Sequence, residues 1–282
     1  MKEMPNRWPK PRRFDRNLVV IGAGAAGLVA SYVASAARAK VTLIEANKMG
    51  GDCLNFGCVP SKALIRTANF LRQVQRSRDV GIGEANVDYD FGQVLARVHR
   101  VIRTVEPHDS AERYTKLGVE VINGKARITS PWTVEVNGKT ITTCAIVIAT
   151  GSRPVTPRIP GLEQVCYYTS DTIWSLTERP GRLVVLGGGP VGCELAQAFA
   201  VLGCEVTQIE RNSLMGREDA DAVALVEAAL SADGVRVLTQ TEALRCENDA
   251  GAQRLIVRHK DGEEEAIPFD ALLCAVGRGA RT

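Results

Sequence analysis

Two cysteines in a glycine-rich stretch are the residues of this sequence best suited to redox chemistry. Cys53 and Cys58 are separated by four residues within GGDCLNFGCVPSK, residues 50–62. The glycines let two sulfur atoms approach each other, and a helix that begins nearby stabilises a thiolate at its N-terminus. Lys62 follows Cys58 by one helical turn, on the same face. This spacing favours a redox-active disulfide.

Two alternatives for the pair are buried structural cysteines and one half of a metal site. A zinc site with four cysteines needs a second closely spaced pair. The other six cysteines are scattered singly, at Cys144, Cys166, Cys193, Cys204, Cys246 and Cys274. We therefore predict no metal site.

Glycine motifs occur twice, each after an apolar run and before an alanine-rich segment. The first motif is Gly22, Gly24 and Gly27 with Glu45 further on, and the second is Gly187, Gly189 and Gly192 with Glu210. Such glycines permit a tight turn and close approach of the backbone to a pyrophosphate, while the acid accepts hydrogen bonds from ribose hydroxyls. We expect two dinucleotide sites. Glu210 favours NADH over NADPH, although Arg211 beside it could contact a 2′-phosphate.

The two motifs belong to an internal repeat, in which residues 18–47 align with residues 183–212 without a gap. The two segments are identical at eleven of thirty positions. Each copy predicts a buried strand, a helix (27–38 and 191–203) and a second strand, and each later reaches a run ending in glycine, at 145–151 and 271–277. The sequence thus predicts an α/β fold of two Rossmann-type units with three layers each.

Other segments are assigned from local pattern. Residues 132–143 predict a hairpin with an Asn-Gly turn at 137–138, and residues 62–76 and 93–116 predict helices. A proline-rich segment at 153–161 predicts an inter-domain crossing. We expect a basic, disordered tail at 1–14, a first nucleotide domain with the cysteine pair at 15–155, and a second at 156–282.

Composition excludes several classes of protein. The net charge of +3 is too small to indicate nucleic acid binding, and charged residues make up an ordinary 24% of the chain. Residues 18–37 carry no charge, yet their glycines and alanines fit a strand, turn and helix better than a membrane span. With eight cysteines and no export signal, we expect reduced thiols and a cytoplasmic location.

The segment from Gly50 to Lys62 resembles the active-site signature of the flavin-dependent pyridine nucleotide–disulfide oxidoreductases, a group that includes dihydrolipoamide dehydrogenase, glutathione reductase and mercuric reductase. In that family the second nucleotide domain is inserted in the first. The resemblance implies that Cys58 is the thiol next to the flavin and that Cys53 exchanges with substrate. It also implies that Lys62 lies beside the flavin, paired with Glu194.

The same resemblance assigns the nucleotide contacts. Those to FAD fall to Gly22, Gly24, Ala25, Gly27, Glu45, Lys62, Gly124, Ala126, Thr150 and Gly151. Those to the nicotinamide nucleotide fall to Gly187, Gly189, Pro190, Val191, Gly192, Glu210 and Gly277. Asp52, where the family often has threonine, and Pro190, where glutathione reductases have a tyrosine, depart from the pattern.

The family resemblance implies an electron relay from NAD(P)H through FAD to the Cys53–Cys58 disulfide, and then to a small-molecule disulfide or a metal ion. The family continues into a second FAD segment and a dimer-interface domain with a His-Pro pair, which His99, His108 and His259 do not match. The alternative is a catalytically incomplete FAD- and NAD-binding fragment. A single-cysteine flavin oxidase, and a small thioredoxin reductase with its cysteines in the second domain, are disfavoured.

Overall fold

The computed structural model describes residues 8–281. The helices are α1 (Ala25–Ala36), α2 (Gly51–Asn55), α3 (Cys58–Gln75), α4 (Phe91–Val105), α5 (Ala111–Lys116), α6 (Pro190–Val201) and α7 (Ala220–Ala232). The strands are β1 (Arg16–Ile21), β2 (Val41–Glu45), β3 (Val119–Asn123), β4 (Arg127–Ser130), β5 (Thr133–Val136), β6 (Lys139–Ile148), β7 (Ser152–Pro154), β8 (Tyr167–Thr169), β9 (Arg182–Leu186), β10 (Glu205–Ile209), β11 (Arg236–Leu238), β12 (Glu242–Asp249), β13 (Ala252–Arg258), β14 (Glu264–Pro268), β15 (Ala271–Cys274) and β16 (Arg278–Ala280).

The chain forms two compact units that do not follow the predicted division near residue 155. Among the described residues, the first unit comprises residues 8–55, 102–152 and 280–281, and the second comprises residues 56–101 and 153–279. Helix α3 and most of α4 therefore belong with the second nucleotide-binding segment. The reason is side-chain packing: α3 contacts α6, and the Phe91 ring lies 6.2 Å from that of Phe199, which is fully buried.

The first unit contains a six-stranded sheet in the order β3-β2-β1-β6-β5-β4. Strands β3, β2, β1 and β6 are parallel, while β6, β5 and β4 pair antiparallel and include the predicted hairpin. Apolar β-branched residues fill β1 because both its faces are covered, as expected for a central parallel strand. The core lies on both sides of this strand, around Val19 and Val20.

The second unit repeats the arrangement with a five-stranded parallel sheet in the order β11-β10-β9-β15-β8. Leu183 is paired with Val206 in the same register as Leu18 with Val41, which is the equivalence that the internal repeat predicts. A three-stranded antiparallel sheet, β12-β13-β14, is also part of this unit. The α/β class and the parallel, Rossmann-type sheets predicted from the repeat are confirmed.

The predicted helices differ from the observed ones mainly at their ends. Helix α3 begins at Cys58, one helical turn before the predicted start at Lys62. The helix predicted over 93–116 is interrupted by a 3-10 segment at Glu106–Asp109, because Pro107 lacks the N–H that a continuing α-helix needs. The uncharged stretch 18–37 forms β1, the glycine turn and α1. Within residues 8–281 no helix combines the length and the apolar character that a membrane crossing requires.

Part of the segment predicted to be disordered makes ring contacts in the first unit. The Lys10 ammonium lies 4.9 Å from the centroid of the Trp132 ring, and the Phe14 ring lies 6.0 Å from the same ring. Residues 1–7 of the predicted tail lie outside the described residues.

Candidate functional site

The first glycine turn is built so that only glycine fits at its two ends. Gly22 has a φ of +104°, and a Cβ there would lie 2.2 Å from the Ala149 carbonyl oxygen. A Cβ on Gly27 would lie 1.8 Å from the carbonyl oxygen of Gly22. The turn therefore runs directly against the end of β6 and against the start of α1. Gly24, between them, is the N-cap of α1 and lies near the backbone of Gly51.

The carboxylate of Glu45 faces this turn and is held by two backbone N–H groups. Its Oε2 accepts a hydrogen bond from the Ala23 N–H at 2.6 Å, and its Oε1 accepts one from the Asn47 N–H at 2.7 Å. Each carboxylate oxygen has a second lone pair, so both can still accept from ribose hydroxyls. The residue thus holds the turn and retains acceptor capacity for a ligand.

Other residues predicted to contact FAD converge on the same end of the sheet. Gly124 donates its N–H to the Glu45 carbonyl oxygen at 2.8 Å, and a side chain at Gly124 would meet Asn137. Ala126 is partly buried and packs against the adjoining core cluster. Thr150 donates its hydroxyl to the Arg281 carbonyl oxygen at 2.7 Å, and Gly151 has a φ of +72°. The carboxyl ends of parallel strands at the reversal of strand order are where α/β proteins bind nucleotides.

The second glycine turn has the same construction. Gly187 has a φ of +111°, and its Cβ would lie 2.4 Å from the Ala275 carbonyl oxygen; a Cβ on Gly192 would lie 2.2 Å from the oxygen of Gly187. Gly189 differs, because a Cβ there would meet nothing within 4 Å. A glycine with no internal packing reason leaves room for a ligand to approach the backbone. Pro190 follows at the first position of α6, where its missing N–H costs nothing.

Glu210 repeats the hydrogen bonds of Glu45, its counterpart in the first copy of the repeat. Its Oε2 accepts from the Gly188 N–H at 2.6 Å, and its Oε1 accepts from the Asn212 N–H at 2.9 Å. Val191 and Arg211 are exposed. Gly277, just beyond β15, has a φ of +121°. Both glycine motifs therefore have the turn, the helix N-terminus and the fixed carboxylate that a dinucleotide requires.

The two cysteines of the signature lie on consecutive helices. Cys53 is half-buried on α2, and Cys58 is exposed as the first residue of α3, where N–H groups lack intrahelical partners. The turn before Cys58 is held by the Trp174 indole, whose Nε1–H donates to the Phe56 carbonyl oxygen at 2.8 Å. Cys58 therefore lies at a helix N-terminus whose approach is fixed by a buried tryptophan.

Lys62 and Glu194 form the ion pair that the family resemblance implies. The Lys62 Nζ lies 2.8 Å from Oε1 and 2.7 Å from Oε2 of Glu194, so the contact involves both oxygens. The two side chains are 60% and 43% exposed, and exposed pairs contribute little to stability. The pair holds the Lys62 ammonium against Glu194 of α6, one helical turn after Cys58.

A second anchor of α3 was not predicted from the sequence. Asp233, only 5% exposed at the end of α7, lies 2.9 Å from Arg72 and 3.6 Å from Arg76, both on or next to α3. Its Oδ2 also accepts from Gln197 on α6 at 2.8 Å. The only local signal is the spacing of the two arginines by one turn, and it gives no partner. This cluster ties the far end of α3 to α6 and α7.

Burial separates the remaining thiols from the signature pair. Burial raises the pKa of Cys204 and Cys246 to about 11 and that of Cys274 to about 12, and it also raises the pKa of Cys193. These four thiols therefore stay protonated and unreactive at neutral pH. Cys144 and Cys166 are exposed but have no neighbouring cysteine in sequence.

Each of the two units has a glycine turn, a helix N-terminus and a fixed carboxylate, and the second includes a helix that begins with an exposed cysteine. The chain belongs to the family described as pyridine nucleotide-disulphide oxidoreductase, whose profile matches residues 16–282. It is similar to mercuric reductase of Bacillus cereus, with 33% identity over 94% of this chain and 42% of the relative. It is also similar to dihydrolipoyl dehydrogenase of Acholeplasma laidlawii, with 32% identity over 95% of this chain and 80% of the relative.

Among solved structures, the fold is similar to the Cu(II) complex of the HOCl-induced flavoprotein disulfide reductase RclA from Escherichia coli. The TM-score is 0.79 and the identity 29%, over 94% of this chain and 57% of that one. The chain spans about half the length of the mercuric reductases it matches, 42% to 57%.

Proposed function

We propose that this chain is the nucleotide-binding and thiol-bearing part of an FAD-dependent pyridine nucleotide–disulfide oxidoreductase that passes electrons from NAD(P)H to a disulfide or a metal-ion substrate. The observation that carries the proposal is the duplicated geometry of Glu45 and Glu210, in a chain whose α3 begins with Cys58. Family membership supports FAD for the first site and NAD(P)H for the second.

When bound, FAD would supply the two-electron transfer between NAD(P)H and the protein disulfide. Reduction of a Cys53–Cys58 disulfide takes up two electrons and breaks the S–S bond, which gives two thiols after two protons are added. Cys53 would then attack a substrate disulfide, forming a mixed disulfide and releasing the first substrate thiol. Cys58 would attack the Cys53 sulfur, which closes the intramolecular disulfide and releases the second substrate thiol.

The first experiment tests the disulfide. Of the eight cysteines, we expect six to react in the denatured, unreduced chain and eight after reduction. Cys53→Ser should give seven reactive thiols with or without reduction, because Cys58 loses its partner. The matched control is Cys144→Ser, which removes an exposed thiol outside the pair and should give five and seven. Eight reactive thiols in the unreduced wild-type chain would contradict the proposal.

The nucleotide preference forms part of the proposal. Glu210 is a fixed carboxylate that can accept from the 2′- and 3′-hydroxyls of NADH and would repel the 2′-phosphate of NADPH. We therefore propose NADH as the preferred reductant. A homodimer and a cytoplasmic location are also proposed, on the family resemblance.

The alternative function is nucleotide binding without turnover by the 282-residue chain. It is favoured by the share of the mercuric reductases that the chain spans, about half of their length. Under this alternative, the chain would lack the FAD contacts made by the part of the relatives that it does not span. Loss of a few hydrogen bonds of about 1 kcal/mol each would weaken FAD binding by one to three orders of magnitude. The purified chain would then be pale and inactive with lipoamide, glutathione disulfide and mercuric ion. A yellow preparation with steady NADH-dependent turnover would exclude this alternative.

A further inference from the structure

A buried polar pair lies under the second glycine turn at positions where the first unit has leucines. Gln208 on β10 is fully buried and Cys193 on α6 is 5% exposed. In the alignment of the two copies of the repeat their counterparts are Leu43 and Leu28, which are buried in the core of the first unit. The two units thus share a backbone but differ in the chemistry beneath their turns.

The amide of Gln208 contacts the turn directly. Its Nε2 donates to the Gly187 carbonyl oxygen at 3.0 Å and lies 3.5 Å from the Cys193 sulfur. The orientation is defined by this contact, because an amide oxygen facing the Gly187 oxygen would be repelled. The other amide atom, Oε1, is buried without a hydrogen-bond partner. Leu43 has no donor and cannot make the equivalent contact in the first unit.

An unpaired buried acceptor is costly, so the amide lowers stability relative to an apolar residue of similar size. The leucine at the equivalent position shows that this fold packs an apolar side chain there. A residue that costs stability and contacts a ligand-binding turn is explained by a gain in binding.

The contacts of the turn indicate what that gain is. The Gly187 N–H donates to the Ile209 oxygen at 2.8 Å, and the Gly188 N–H donates to Glu210 at 2.6 Å. The Gly188 oxygen accepts from the Met215 N–H at 2.8 Å. The Gly187 oxygen is the remaining polar group of these two residues, and Gln208 holds it. Every peptide of the turn is then fixed, with the N–H groups at the start of α6 left for a pyrophosphate.

We propose that Gln208 is a positioning residue that pre-organises the second glycine turn for the pyrophosphate of the nicotinamide dinucleotide. This rests on the proposed function of the second unit as the NAD(P)H site. Pre-organisation raises affinity because the ligand does not have to order the turn on binding.

The test compares three ligands in the 282-residue chain. Gln208→Met keeps the side-chain volume and removes the donor. We expect binding of NADH and ADP-ribose to weaken about five- to tenfold, and binding of adenosine, which has no phosphate, to stay unchanged. The melting temperature should stay the same or rise. The matched control is Leu43→Met, which places the same side chain under the first turn and should leave NADH affinity unaltered.

The outcomes are separable. Equal NADH affinity in wild type and Gln208→Met would overturn the positioning role alone, whereas a wild-type chain that binds no NADH would overturn the proposed function as well. A parallel loss of adenosine affinity, or a lowered melting temperature, would show a structural role instead. If Gln208→Met does not fold, Gln208→Leu reproduces the residue that the first unit accommodates, and the same comparison applies to it.

Discussion

Removal of the Glu210 carboxylate should change which nicotinamide dinucleotide the chain prefers. Both oxygens are fixed by backbone N–H groups at 2.6 and 2.9 Å, so the charge cannot swing away from a bound 2′-phosphate. Two unit charges about 4 Å apart repel by about 4 kcal/mol at an effective dielectric constant of about 20, and salt and partial exposure reduce this to about 1–2 kcal/mol. The wild-type chain should therefore bind NADH about five- to thirtyfold more tightly than NADPH.

The measured quantity is the ratio of the two dissociation constants, obtained from titrations that follow nucleotide fluorescence. In Glu210→Ala the ratio should fall to within about threefold of unity, because the repulsion is gone. Any distortion of the turn affects both nucleotides and cancels in the ratio. Glu45→Ala is the matched control, since Glu45 makes the same two backbone contacts in the first unit. Tighter binding of NADPH by the wild-type chain, or an unchanged ratio in Glu210→Ala, would refute the argument.

Three further changes test other parts of the structure. Gly22→Ala places a Cβ 2.2 Å from the Ala149 oxygen at a φ of +104° and should destabilise the fold by about 3 kcal/mol in urea unfolding, with loss of FAD binding; an unchanged midpoint would count against the turn geometry. Asp233→Ala leaves two arginines without their buried partner and should cost about 3 kcal/mol, whereas a loss below about 0.5 kcal/mol would show that the cluster does not anchor α3. The hydrogen bond from Arg182 lowers the pKa of Asp270. The pair therefore stabilises the chain above the unfolded-state pKa of this carboxyl, and the stabilisation is lost as the pH falls through the folded-state pKa. In Asp270→Asn, the free energy of unfolding should therefore fall less steeply in acid.

Local pattern predicted most of the elements that carry the two glycine turns. The glycine spacing, the apolar β-branched strands and the repeat indicated the two parallel sheets, because each signal lies within a short stretch of chain. The signature after Gly50 indicated the thiol-bearing helix. The break in the helix predicted over 93–116 was missed, although Pro107 was visible, because amphipathic periodicity continues on both sides of it.

Contacts between distant residues could not be predicted in the same way. Within the second unit, the end of α3 is anchored by Asp233. This residue is remote in sequence from the two arginines it contacts, Arg72 and Arg76. No periodicity relates such positions, since their proximity follows from the packing of α3 on α6. The contact of the Gln208 amide with the glycine turn could not be predicted either. Buried strands are expected to be apolar, and a glutamine in such a strand departs from that pattern.

The packing of residues 56–101 against the second nucleotide segment limits how this protein can be divided or recombined. A fragment cut at residue 156 would retain every strand of the parallel sheet, yet it would uncover Phe199 and leave the Asp233 carboxylate without its cations. Exchange of nucleotide modules between relatives would therefore succeed only when the segment that begins at Phe56 travels with its own α6 and α7. The segments that must stay together are therefore not continuous in the gene. Substitutions on α3 must be compatible with the residues of α6 and α7 that contact it.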